Sequence, residues 1–143
     1  MVVQRRGMPY RTHVQIEPGA QSRERRIVAE PDTAQALGTG DVPVLASSRI
    51  FAWCEEASFA ALAPSVPMGS TSVAMRVQID HVRAAAIGTP VVAIATLERV
   101  EGRRFVFVVS ALDSNSEELA SGRIVRVVVE VGPFLAKASG SVL

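Results

Sequence analysis

Ser48-Arg-Ile-Phe-Ala-Trp-Cys-Glu-Glu-Ala-Ser-Phe-Ala-Ala-Leu-Ala63 is the stretch that decides the fold. Ser47 or Ser48 stands where a helix cap belongs, and Pro64 stands where a helix cannot continue, so the spacing predicts one long helix. The segment is apolar nearly all round, and a helix of that kind is normally buried on most sides. Downstream the pattern changes to β segments at 71–82, 90–101, 104–112 and 122–131, dense in valine. Ala86-Ile-Gly-Thr-Pro90, Val100-Glu-Gly-Arg103 and Asp113-Ser-Asn-Ser-Glu-Glu118 separate them as turns. Short connections favour antiparallel pairing. With a fifth strand near 14–29, the economical arrangement is an α+β fold in which one antiparallel sheet curls around one buried helix.

Upstream of the helix, Glu30-Pro-Asp-Thr-Ala-Gln-Ala-Leu-Gly38 reads as a short helical turn with Asp32 as its cap and Gly38 as its stop. At 143 residues the chain is long enough to enclose one core and too short to divide. We expect a basic N-terminal arm at 1–13, a single domain at 14–138 and a tail at 139–143. A lone sheet-and-helix layer leaves an edge or face with little cover, which makes a dimer the expected state without saying which edge pairs.

The charge balance narrows the classes of partner. Fifteen basic and 14 acidic side chains give +1 overall, which is no footprint for nucleic acid or an anionic membrane. Residues 1–26 carry six arginines against Glu17 and Glu24, a local +4 that leaves −3 for the rest, and such an arm is usually a solvated extension. His13 lies within it and has no chemical context. A single cysteine, Cys54, excludes an intramolecular disulfide and a cysteine-rich zinc site, and fits a reducing, cytoplasmic setting. No apolar run reaches membrane-span length, and the N-terminus lacks a secretion-signal core.

The chemistry-bearing candidates are few. In Val73-Ala-Met-Arg-Val-Gln-Ile-Asp-His81 the odd positions would share one strand face, which carries His81 inward behind four apolar residues. There it can act as acid, base or hydrogen-bond donor, or it can be a core-edge histidine bonded to backbone. Glu55 and Glu56 both have apolar neighbours one helical turn away and point about 100 degrees apart, so spacing leaves open which of them faces inward. Ser47 sits where loop becomes helix, as a cap or as a hydroxyl near N–H groups that can polarise a carbonyl. Arg103 and Arg104 occupy a hairpin turn, either solvated or placed to pair with phosphate. There is no phosphate loop, zinc-ligand cluster or Gly-x-Ser-x-Gly elbow.

Taken in order, Pro31 through Ser47, Glu55-Glu-Ala57, Ser72-Val-Ala74, His81, Val100-Glu-Gly-Arg-Arg-Phe105 and Gly122-Arg-Ile-Val-Arg126 resemble the hot-dog thioesterases related to fluoroacetyl-CoA thioesterase, over roughly residues 14–138. The resemblance implies a hot-dog fold, an antiparallel sheet wrapped around a long helix, paired as a homodimer or a dimer of dimers. It implies that Glu55 and His81 match the family's catalytic glutamate and histidine, and that Ser47 stands where the family has a threonine. Ala74 takes the place of a glycine in relatives, which narrows the acyl pocket. Arg103, Arg104 and Arg126 are implied as contacts for the phosphates of the substrate.

The implied reaction is hydrolysis of a short or medium acyl-CoA, with Glu55 as nucleophile or general base and no metal or bound cofactor. Coenzyme A enters only as part of the substrate. The alternatives are a non-catalytic acyl-CoA sensor and, third, an enoyl-thioester hydratase.

Overall fold

The computed structural model describes residues 14–140. The arm at 1–13, with His13, and the last three residues of the tail lie outside the described residues. Five strands form one antiparallel sheet: β1 (Gln21–Ile27), β2 (Ser70–His81), β3 (Pro90–Glu101), β4 (Arg104–Asp113) and β5 (Glu118–Glu130). Their order is β1-β3-β4-β5-β2, so β1 and β2 are the edges. A short helix α1 (Ala34–Leu37) leads into the long helix α2 (Ser47–Leu62), and α3 (Val131–Ala138) follows β5. The sheet wraps α2, which packs against all five strands, as the sequence predicts.

The core is the stripe where α2 meets the sheet. Ile50, Trp53, Cys54, Ala57, Ser58 and Leu62 are the buried residues of α2, at the helical repeat of one face. They meet Ala93, Ala95 and Leu97 of β3, Phe107 and Val109 of β4, and Ile124 and Val128 of β5. Each large aliphatic or aromatic group buried here contributes roughly 1.5–3 kcal/mol. Burial pushes the Cys54 thiol up to about 12, so it behaves as a small hydrophobe.

Four local expectations change. The helix is buried along one stripe only: Ser47, Ser48, Glu55, Glu56 and Phe59 are exposed, so an apolar composition does not here mean burial on most sides. Asp32 is not the cap of α1. Thr33 Oγ1 accepts from the Ala36 N–H, while Asp32 accepts from the Ala29 N–H and pairs with Arg49 at 3.1 Å. Gly38 does stop α1, at φ 73. The last strand begins at Glu118 rather than 122, because the preceding turn closes within Asp113–Glu117: Asp113 Oδ1 accepts from the N–H groups of Asn115 and Glu117. Finally, that strand stops at Glu130 rather than 131, and Val131-Gly-Pro-Phe134 opens a helix, α3, not expected from the sequence, since proline is tolerated in a first helical turn.

The fifth change concerns β2. Its register against β5 shifts between Ala74 and Arg76, which makes Met75 the extra residue of a bulge and inverts the alternation there. Ser72 and Ala74 lie opposite Val128 and Arg126, and after the bulge Val77, Ile79 and His81 lie opposite Ile124, Gly122 and Ala120. These β5 residues form the inner face, so Val73 belongs to the outer face and Met75 to neither, while Val77, Ile79 and His81 point inward as expected. The bulge thus delivers His81 to the helix side. Gly122 has a different duty: a Cβ there would lie 1.9 Å from the Gln78 carbonyl oxygen, so only glycine permits this approach of β2.

Candidate active site

The start of α2 is pinned before the chemistry is placed. The Leu45 N–H donates to the Ala85 carbonyl at 2.8 Å, and the Ala46 N–H donates to the Asp32 carbonyl at 2.9 Å. Ala46 is the N-cap and has no hydroxyl to cap with. Ser47 is therefore the first helical residue, and its side chain is free for other work. Its Oγ lies 2.8 Å from His81 Nδ1. On the other side of the ring, His81 Nε2 is buried and has no hydrogen-bond partner among the described residues. Strand β2 ends here, where the Val82 N–H donates to the Leu119 carbonyl at 2.8 Å.

A hydroxyl bonded to an imidazole at a helix N-terminus can pass a proton between them. The first N–H groups of α2 have no acceptor within the helix, so an oxygen that gains negative charge can be stabilised there. Which ring nitrogen carries the proton decides the role. If Ser47 donates to Nδ1, Nε2 bears the hydrogen, with no acceptor for it among the described residues.

Glu55 is the second component. It lies eight residues beyond Ser47, roughly 12 Å along the helix axis, and it is exposed. Among the described residues it makes no side-chain hydrogen bond or ion pair. Glu56 differs: Arg26 of β1 donates to it at 2.8 Å on the surface. The choice that spacing left open is thus resolved for one glutamate, since Glu56 is engaged in a solvent-facing pair of small energetic worth. Within one chain, Ser47 and His81 come together and Glu55 does not reach them.

Arg126 is not a surface cation. It is 4% exposed on the inner face of β5, opposite Ala74. Its Nε donates to Ser72 Oγ at 2.9 Å, one terminal nitrogen to the Ser72 carbonyl at 2.9 Å and the other to Ser58 Oγ at 3.3 Å. The guanidinium carbon sits 5.4 Å from the centre of the Phe59 ring. Burial pulls its pKa below the usual arginine range, and the charge of Glu55 acts in the opposite direction. Arg103 and Arg104 are exposed at the β3–β4 turn. Arg104 pairs with Val127, seven residues along β5 from the Ala120 that faces His81, roughly 23 Å away at strand rise. Within one chain these two arginines and His81 stand at opposite ends of the sheet.

Composition did not single out Ser58 and Ser72 as the partners of Arg126. The signal was present in one of them: a serine on the core stripe of α2, where every other buried residue is apolar, needs a polar partner. Beside them a groove of about 220 Å³ is lined by Phe59, Val66, Met68, Ser70 and Ser72 among others.

The profile of the fluoroacetyl-CoA-specific thioesterase family (FlK) matches residues 28–132, which run from just after β1 to the start of α3 and include Ser47, Glu55, His81 and Arg126. The chain belongs to this family. It is therefore a thioester hydrolase, and its reaction class is that of the acyl-CoA thioesterases. A threonine-to-serine variant of the fluoroacetyl-CoA thioesterase FlK, in complex with acetyl-CoA, superposes with TM-score 0.82 at 28% identity and covers 90% of this chain and 100% of its own. A phenylalanine-to-alanine variant with fluoroacetate and CoA gives TM-score 0.75 at 28% identity, over 83% and 99%.

A thioesterase superfamily member from Thermus thermophilus shares the fold, with TM-score 0.82, 23% identity and coverage of 88% and 93%. Comparison with curated proteins gave no match. Among the described residues no helix is long and apolar enough to cross a membrane.

Proposed function

We propose that the protein is a cytoplasmic homodimer that hydrolyses a short or medium acyl-CoA, in a site that Ser47 and His81 of one subunit complete with Glu55 of the partner subunit. The observation that carries this reading is the division of the candidate residues in one chain: a bonded Ser47–His81 pair with an orphaned Nε2, and a carboxylate standing exposed about 12 Å away. Neither half is a site alone.

Strand β2 supplies a way to join them. It is a 12-residue edge with Met75 48% and Val77 42% exposed, and an unpaired edge of this length is a template for a second copy. Antiparallel pairing centred on the bulge would set His81 beside the partner's Ser70. The partner's Ser72, Arg126 and Glu55 turn lie next to that point. The same pairing would cover Phe59, 45% exposed beside the 220 Å³ groove, and give the acyl group a wall. It would also bring Arg103 and Arg104 of each subunit toward the other's His81 end, where the phosphates of the substrate could meet them.

In this site the partner's Glu55 attacks the thioester carbonyl or draws a proton from the water that does so. The carbonyl oxygen gains negative charge against the first N–H groups of α2. The carbon–sulfur bond then breaks and the departing thiolate takes the His81 Nε2 proton. The ring recovers it from the proton that Glu55 drew off the water or, where Glu55 itself attacked, from the water that then cleaves the acyl–Glu55 anhydride to release the acid. Ser47 holds the ring in register. Ala74, opposite Arg126, limits the depth available to the acyl chain. The chemistry uses side chains and water, with no metal or bound cofactor.

Free-thiol release from a panel of acyl-CoAs, together with the mass of the species in solution, tests this function. Turnover by a dimer, falling with acyl length, is expected. Stoichiometric acyl-CoA binding without thiol release would replace hydrolysis by sensing, and conversion of an enoyl substrate with its thioester intact would replace it by hydration.

A further inference from the structure

Arg126 is a buried cation whose three nitrogens find only neutral partners: the Ser72 hydroxyl, the Ser72 carbonyl and the Ser58 hydroxyl. Removing a guanidinium from water is costly unless a counter-charge compensates it. Those contacts also define a direction. Arg126 reaches Ser58 by a hydrogen bond and Phe59 by its ring, and these residues follow Glu55 by three and four positions. Side chains at those spacings share one side of a helix, so the Glu55 carboxylate lies on the Arg126 side of α2. Ser58 binds the same turn from within, since its hydroxyl donates to the Glu55 carbonyl at 2.7 Å. Glu55 is the carboxylate whose charge acts on Arg126.

We propose that Arg126 is the positioning residue of Glu55: it ties the Glu55–Phe59 turn of α2 to edge strand β2, and it holds the carboxylate as an anion when a second subunit covers it. The role exists only if Glu55 is catalytic, as proposed above. Ser72 is the anchor on β2 and Ser58 the anchor on α2, so a single planar group fixes the distance between the two elements. Its fork geometry suits that task, because two nitrogens grip Ser72 while the third turns toward the helix. A carboxylate entering a covered interface loses water, and a fixed cation at its side offsets that loss.

The experiment is a double-mutant cycle on the full-length chain, read by steady-state thiol release from the acyl-CoA that the wild type hydrolyses best. Arg126→Met keeps the stem and removes the charge, whereas Arg126→Lys keeps the charge and loses the fork. Arg126→Met is expected to lower kcat by about 100-fold, the cost of a misplaced catalytic group, with KM changed by no more than about threefold. Arg126→Lys should recover about tenfold of that loss, because the charge survives. On a Glu55→Gln background, Arg126→Met should slow the enzyme no further, since both changes act through one group.

A KM raised tenfold or more with kcat retained would make Arg126 a substrate contact and overturn its positioning role. So would losses that multiply in the double variant, or a lysine variant as slow as the methionine one. A Glu55→Gln enzyme as fast as wild type would instead sink the catalytic reading of Glu55 itself. If Arg126→Met does not fold, Ser58→Ala takes its place in the cycle. It should lower kcat by about tenfold on the wild-type background and not at all on Glu55→Gln, and equal losses on both would overturn the inference.

Discussion

The first turn of α2 and the turn that carries Glu55 belong to one helix and differ in what a single chain gives them. At the first turn the polar groups are assembled: Ser47 and His81 are bonded at 2.8 Å, and the loops that place them are pinned by the hydrogen bonds of Leu45 and Ala46. Two turns later the proposed supporting groups are buried and the proposed catalytic carboxylate is not. Arg126, Ser58 and Ser72 are enclosed, while Glu55 stands exposed. In the proposed shared site, that is the difference between a finished half and a prepared half. In the proposed dimer, the wall missing beside this exposed carboxylate and buried, hydrogen-bonded guanidinium comes from the second subunit.

The sharpest way to break this comparison is to swap the two adjacent glutamates. Glu55→Gln should lower kcat/KM by about 1,000-fold, within the range for loss of a general base or nucleophile. Glu56→Gln should change it by no more than about twofold, since its partner is Arg26 on the surface. Thiol-release assays on folded dimers check both, and comparable losses would mean that the two glutamates are not functionally distinct. At the finished half, Ser47→Ala should cost about 100-fold in kcat by releasing the imidazole, and Ser47→Thr should restore most of it, because threonine keeps the hydroxyl.

A smaller effect tests whether the approach of β2 depends on Gly122. Gly122→Ala forces a methyl into the Gln78 carbonyl and should destabilise the fold by about 2 kcal/mol, the usual range for overpacking. Urea unfolding measures that loss, and sedimentation should show weaker dimers, because the displaced strand is the proposed interface. The smallest change expected is in the Arg26–Glu56 pair. Glu56→Gln should alter unfolding free energy by about 0.5 kcal/mol at low salt and less at high salt, as screening predicts for an exposed pair.

Much of this architecture was legible in the sequence, and the parts that were not have physical reasons. The all-round apolar stretch after Ser47 and the valine-rich segments after Gly69 announce a helix enclosed by antiparallel strands, because periodicity and turn residues are local signals. The bulge at Met75 is not local. It depends on how β2 registers with β5, and strict alternation applied through it assigns Val73 to the wrong face. Asp32 reads as a cap because its type and position suit one, but Thr33 is closer to the open N–H and Asp32 has Arg49 within reach. Arg126 is the instructive case. The resemblance implied a phosphate contact near the substrate groove, whereas the enclosure made by Ser58, Ser72 and Phe59 shows a guanidinium buried between α2 and β2.

The central claim is that each site joins one subunit's Ser47–His81 pair to the other subunit's Glu55, and mixing inactive chains tests it directly. Glu55→Gln and His81→Ala chains would be unfolded together, refolded and assayed for thiol release against each parent. Random reassortment of a symmetric dimer should then restore about a quarter of wild-type activity, because half the dimers carry one intact shared site. Activity no higher than that of the parents would contradict the claim and place Glu55 and His81 in the same subunit's site.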